Sequence, residues 1–303
     1  MNRAAPHSAW AVAALLLNAL VWGLSWWPFK QLESLGLHPL WATAIVYGLS
    51  FVAIALWCRL ARISNDAWRA HPGLWWLLIA SGLTNVGFNW AVTVGDVVRV
   101  VLLFYLMPAW SVLVAWWLLG DKPTPGALVR LLIALAGLFI VLHQPGTPWP
   151  LPKSLADVLA LLGGLSFALT NALLLKLKDT PETSRMLAMF GGGTLMASLT
   201  AWLGSGSALV VQTSFWNPDW MGPVLVLALA FLGGNLALQY GAARLAAHTT
   251  ALVMLSEVVF ASVSSVILGA STWDQRTLLG GGLILLAAVL SVLMPGHAAK
   301  ETP

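Results

Sequence analysis

The chain has 303 residues, 59% of them hydrophobic and only 9% charged, whereas a soluble domain is about 25% charged. This excludes a water-soluble fold. The net charge of +4, from 15 Lys and Arg against 11 Asp and Glu, rests on too few groups to cover a nucleic acid, so no nucleic-acid partner is expected. One cysteine, Cys58, rules out an intrachain disulfide and a thiolate metal cluster. The histidines are scattered without i, i+4 pairing, so neither a metal nor another cofactor is expected.

A bilayer core about 30 Å thick takes about 20 apolar residues of helix to cross. Ten runs of that kind, bounded by charge, Pro or Gly, follow one another. They are Ala9 to Phe29, Pro39 to Cys58, Gly73 to Val94, Val97 to Leu119, Gly126 to Leu142, Leu155 to Leu175, Met186 to Leu203, Trp220 to Ala243, Ala247 to Leu268, and Thr277 to Met294. The expected fold is an all-α integral membrane protein with ten transmembrane helices and short connections, the longest being Gln144 to Ser154 and Gly204 to Asp219. The first run is long, carries Asn18 and lacks a clean small-residue cleavage site, so it reads as a retained helix. With the N-terminus inside, the inner connections hold 11 basic residues and the outer ones 4, namely Lys30, Arg99, Lys153 and Arg276. The positive-inside rule then puts both termini in the cytoplasm.

The two halves of the chain resemble each other. Leu106-Met107-Pro108 followed by Leu119-Gly120 corresponds to Leu255-Ser256-Glu257 followed by Leu268-Gly269, both pieces at an offset of 149. Asn85 and Asn89-Trp90 correspond to Asn235 and Gln239-Tyr240 at an offset of 150. Five spans per half is an odd number, so the second half enters from the opposite side, and residues 1–150 and 151–303 are expected to be inverted-topology repeats around a central cavity.

Ten helices in two halves, with Trp22-Gly23-Leu24-Ser25-Trp26, then Pro108 and Leu119-Gly120-Asp121, then Leu255-Ser256-Glu257 and Leu268-Gly269, resemble the EamA-like branch of the drug/metabolite transporter superfamily. The likeness spans nearly the whole chain and extends to aromatic amino acid exporters. Where that family commonly has Gly-Glu after helices four and nine and Glu-Pro in helix nine, this chain has Gly120-Asp121, Gly269-Ala270 and Glu257-Val258. The resemblance implies a secondary transporter of small metabolites in a bacterial inner membrane, with a small-molecule substrate and membrane lipids as its partners.

Glu257 is the sharpest single feature, because an ionisable group near mid-bilayer costs about 2.5 kcal/mol or more to insert. It either meets a substrate ammonium or a proton, or serves as a structural cap. Trp22 and Trp26 are four apart and would share a helix face, with Pro28 bending the end of that run and Pro108 the fourth. Trp110 lies deep enough to line a cavity with them, and Tyr105 has a ring that stacks on an aromatic ligand. Asn85 and Asn89, with Asn235 and Gln239, form i, i+4 amide pairs at matched places, able to donate and accept at once. The bland reading of each is an interhelical hydrogen bond. Asn171 matches Trp26 in a looser overlay of the halves. Gly191-Gly192-Gly193 and Gly280-Gly281-Gly282 lie inside apolar runs with no Lys-Ser or Lys-Thr after them, which reads as close helix packing rather than a phosphate loop.

The reading is a non-enzymatic exporter of amino acids, aromatic ones included, working by alternating access. The other substrate classes are drugs and nucleotide sugars. A membrane hydrolase would need a G-x-S-x-G turn and a deep His, and the chain has neither. A wide channel would need several polar stripes.

Overall fold

The computed structural model describes residues 6–63, 66–120, 123–142, 151–205, 210, 218–242, 244, 253–271 and 274–293. The start of the ninth apolar run, Asp121, His143, Trp149, Trp216, His248, Trp273 and Met294 lie outside them. The described secondary structure is helical throughout: α1 (Pro6–Leu24), α2 (Trp26–Ser34), α3 (Pro39–Leu60), α4 (Ala67–Ala70), α5 (Gly73–Val94), α6 (Val97–Phe104), α7 (Met107–Val114), α8 (Pro125–Leu142), α9 (Leu155–Lys176), α10 (Glu182–Gly204), α11 (Met221–Ala242), α12 (Ser256–Ile267) and α13 (Gln275–Leu293). A π-helical turn, Ala115–Leu119, continues α7, and a short 3-10 turn, Pro218–Trp220, leads into α11.

Among the described residues, seven helical stretches are long and apolar enough to cross a bilayer, and they cover the first four runs and the sixth to eighth. Shorter apolar helices, Pro125–Val141, Ser256–Ile267 and Gln275–Leu290, fall in the fifth, ninth and tenth. The chain is a multi-span membrane protein. Its exposed Trp10, Trp57, Trp75, Trp76, Trp116, Trp117 and Trp202 sit near the ends of these stretches, where an indole is stable at a headgroup boundary.

Helix starts follow local chemistry. Pro39 opens α3, and the His38 ring accepts from the Leu40 amide at 3.2 Å. Asp96 caps α6 by accepting from the Arg99 amide at 2.9 Å, and Ser154 caps α9 by accepting from the Asp157 amide at 3.3 Å.

Interruptions also have local causes. The first run is not one helix: α1 stops at Leu24 and α2 starts at Trp26, because Pro28 has no N–H for the Leu24 carbonyl and its ring would clash with it. Pro108 likewise has no N–H for the Phe104 carbonyl, and α6 ends at Phe104.

The described residues divide into two compact units, residues 1–24, 96–153 and 233–303 in one, and 25–95 and 154–232 in the other. Each takes helices from both sides of residue 150. In the first, α1 packs on α12, and α8 on α13, while α6 touches α12 and α13. In the second, α5 is the centre, packed by α9, α10, α3 and α2. Its core joins Leu40, Ala44, Val86, Trp90, Ala197 and Ala201.

Helix pairs approach most closely where glycines face each other. A Cβ on Gly82 would meet the Gly192 carbonyl, and one on Gly192 the Leu78 carbonyl. A Cβ on Gly137 would lie 2.5 Å from the Gly280 carbonyl, and one on Gly280 2.6 Å from the Gly137 carbonyl. Backbones this close gain dispersion contacts that no larger residue allows, which is how helices associate without a hydrophobic drive. Gly191, Gly192 and Gly193 meet Phe51, Leu78 and Tyr47 respectively, as close packing requires.

Candidate functional site

In the first unit the interrupted fourth and ninth runs come together. The helical hydrogen bonding is interrupted at Tyr105 and Leu106 between α6 and α7, and again at Leu255 immediately before α12, where the backbone keeps near-helical angles of φ −60° and ψ −18°. At the second interruption there is no proline; instead the Ser256 hydroxyl donates to the Val253 carbonyl at 2.6 Å, the local competition that lets serine end a helix. Glu257 then stands in the first turn of α12, where the helix dipole favours a carboxylate.

The Tyr105 hydroxyl donates to Glu257 Oε2 at 3.0 Å across 152 residues of sequence. Tyr105 is 3% exposed, and Glu257 is half-buried. Gly23 of α1 lies beneath the same turn: a Cβ there would sit 2.7 Å from Phe260 Cβ and 2.8 Å from the Glu257 carbonyl. A phenol and a carboxylate at facing helix interruptions form a site that can take a proton or an ammonium group, because the free carboxylate oxygen remains an acceptor.

The remaining predicted residues separate by unit. Trp22 is half-buried in the first unit, while Trp26 is 2% exposed in the second, on either side of the interruption at Ser25. Ser25 keeps α-helical backbone angles, φ −61° and ψ −26°, so the interruption is a local loss of helical hydrogen bonding rather than a change of chain direction. Trp110 lies in α7 with its indole N–H buried and without a hydrogen-bond partner among the described residues. Asn235 and Gln239 join each other, Gln239 Nε2 donating to Asn235 Oδ1 at 2.8 Å. Nearby, Asn18 donates to the Gly234 carbonyl at 2.7 Å. Asn171 is exposed on α9.

Asn85 and Asn89 are buried in the second unit, tied to α3. Tyr47 donates its hydroxyl to Asn85 Oδ1 at 2.6 Å, and Asn85 donates to the Ser81 carbonyl at 2.8 Å. Asn89 donates to Thr43 Oγ1 at 3.2 Å, while its own oxygen has no partner among the described residues. Tyr47 and Thr43 escaped the sequence reading because their partners lie 38 and 46 residues away, and no local pattern links them. Tyr47→Phe is expected to lower stability by about 0.6 kcal/mol, the usual worth of such a bond within a membrane. Thermal unfolding of the purified variant measures it.

Two basic residues also have places the sequence did not give. Lys30 Nζ donates to the Gly95 carbonyl at 3.3 Å, and Arg99 Nη1 to the Val141 carbonyl at 2.6 Å. Both act at helix C-termini, where orphan carbonyls and the dipole attract a cation. Lys30 is therefore tied to the C-terminal end of α5.

A further feature links the halves. Gly120 and Gly269, 149 residues apart, both have φ in the left-handed region, at +76° and +68°, and neither would meet anything within 4 Å if it carried a Cβ. Their glycine requirement is therefore backbone conformation, not space.

No curated protein matches the sequence. Among fifteen matching chains of solved structures, one titled "Crystal structure of protein" aligns over 96% of this chain and 99% of its own, with a TM-score of 0.58 and 15% identity, which is a likeness of fold. Residues 9–143, a little under half of the chain, match the model of the EamA-like transporter family, so the first five apolar runs are similar to that family.

Proposed function

We propose that the protein is a secondary transporter that exports small metabolites, amino acids and aromatic ones in particular, by alternating access. The observation that carries this is the Tyr105 to Glu257 hydrogen bond between two interrupted helices at matched positions of the halves. Discontinuous helices near mid-bilayer are the usual site builders in transporters, since they free backbone groups and dipole ends for a ligand. A carboxylate there offers an ammonium its counter-charge, and the phenol ring beside it offers an apolar face.

The inverted repeat is part of the proposal. It is supported by equal offsets for the helix interruptions at Leu106 and Leu255 and for the left-handed glycines at 120 and 269. The ten spans, the bacterial inner membrane and the cytoplasmic termini belong to the same reading, the last resting on the 11 to 4 basic split. Trp22 and Trp110 in the same unit are the proposed aromatic contacts, and Asn235 with Gln239 the proposed amide contacts. Trp26, Asn85, Asn89 and Asn171 are proposed to line the substrate's path, and Pro28 and Pro108 to hold the hinges.

Counterflow into proteoliposomes loaded with a panel of amino acids tests it. Saturable exchange of Trp, Phe or Tyr is the expected outcome. Exchange only of nucleotide sugars or of drugs overturns the substrate class and keeps the transporter.

A further inference from the structure

The second unit carries a cavity of about 630 Å³ that the transport reading does not use. It opens where α3 ends and α5 begins. Phe51, Ala55, Cys58 and Leu187 supply its apolar lining. Phe51 lies about 10 Å along α3 from Cys58 at the helical rise, so the cavity reaches from the end of a membrane span well into its apolar depth. Trp68 and Trp75 stand on its other side, ring centroids 4.9 Å apart and edge to face, with Arg69 between them in sequence.

This end of the unit is basic. Arg59 in the last turn of α3, with Arg62 and Arg69 on the way to α5, and Lys176 at the end of α9, Lys178 after it and Arg185 in the first turns of α10 all lie here. The two stretches adjoin, since a Cβ on Gly73 would sit 3.1 Å from Leu177 Cδ2. Asp66, Asp179 and Glu182 are the acidic residues there, leaving an excess of cations. Arg185 is engaged in holding the Leu177 and Lys178 carbonyls, at 3.1 and 2.9 Å. Arg69 is exposed at the rim.

An apolar lining that runs about 10 Å along α3, with an indole pair and an exposed guanidinium on the side where that helix ends, matches one amphiphile: acyl chain, glycerol level and phosphate in that order. We infer that this cavity binds a single anionic phospholipid, with an acyl chain against Phe51, Ala55 and Leu187 and the phosphate at Arg69. The net positive end favours an anionic over a zwitterionic headgroup by about fivefold, the ratio equivalent to ~1 kcal/mol for one basic residue near a membrane surface.

Native mass spectrometry of the purified full chain, delipidated and titrated with phosphatidylglycerol, phosphatidylcholine or glycerol phosphate, tests this without any transport step. One tightly retained phosphatidylglycerol is expected, held about fivefold more firmly than phosphatidylcholine. Arg69→Gln should bring the two lipids within about twofold of each other, and Ala55→Phe, which fills the slot, should lose both. A thermal transition retained by each variant shows that the loss is local. Equal retention of both lipids by the unmodified protein overturns the inference, as does phosphatidylglycerol retained by Ala55→Phe. Displacement of the lipid by glycerol phosphate overturns it in favour of a free phosphate site. Because retention is read without exchange, the lipid site stands or falls apart from the transport proposal.

Discussion

Glu257→Gln is expected to slow saturable amino-acid exchange in proteoliposomes by at least about tenfold while leaving the thermal transition of the purified protein in place. The amide keeps the size of the side chain and can still accept from Tyr105 at 3.0 Å, so packing in the first turn of α12 survives. What disappears is the negative charge. A hydrogen bond to a charged partner is worth about 1.5–3 kcal/mol against about 0.5–1.5 for a neutral one, and about 1.4 kcal/mol is a factor of ten. Tyr105→Phe removes only one donor and leaves the carboxylate, so a smaller loss of about two- to fivefold is expected. The order of these two effects separates a substrate contact from a structural cap. Undiminished exchange by folded Glu257→Gln would make the carboxylate a helix-start group and return the site to the aromatic and amide residues.

The second large effect falls on the glycine crossing of α5 and α10. Gly192→Ala puts a methyl onto the Leu78 carbonyl, with the Ser81 hydroxyl 3.0 Å away. Neither neighbour is the far end of a flexible side chain, so the helices must separate. Overpacking of this kind costs about 1–3 kcal/mol, and separation also loosens the facing contact of Gly82, so a value at the top of that range is expected. Gly282→Ala in α13 is the control. Nothing lies within 4 Å of its added Cβ, and alanine in a helix is favoured over glycine by about 0.8–1.0 kcal/mol. Thermal unfolding in detergent should therefore move down for Gly192→Ala and level or up for Gly282→Ala. Equal shifts would mean that helix propensity, not the crossing, governs both positions.

These particulars also mark how far the sequence could be read. The apolar runs, the interruption one turn before a proline and the left-handed glycines at 120 and 269 are local matters, set by length, by a missing N–H and by a missing Cβ. They are legible because each depends on residues within a few positions. Pro28 shows the limit: its effect was visible, but the place of the interruption, at Ser25, was not.

Partners far apart in the chain were not legible. Nothing near Asn85 announces Tyr47, and nothing near Lys30 announces the Gly95 carbonyl. Glu257 was singled out by the cost of its charge, yet the phenol that meets it was named only as a stacking surface. The sequence alone determined that this chain crosses a membrane many times and roughly where its apolar runs begin and end, because hydropathy and backbone chemistry act locally. Only the tertiary structure decided which interruption faces which, which glycines cross, and where a basic rim meets an apolar slot, because those depend on helix packing between residues that the chain itself keeps apart.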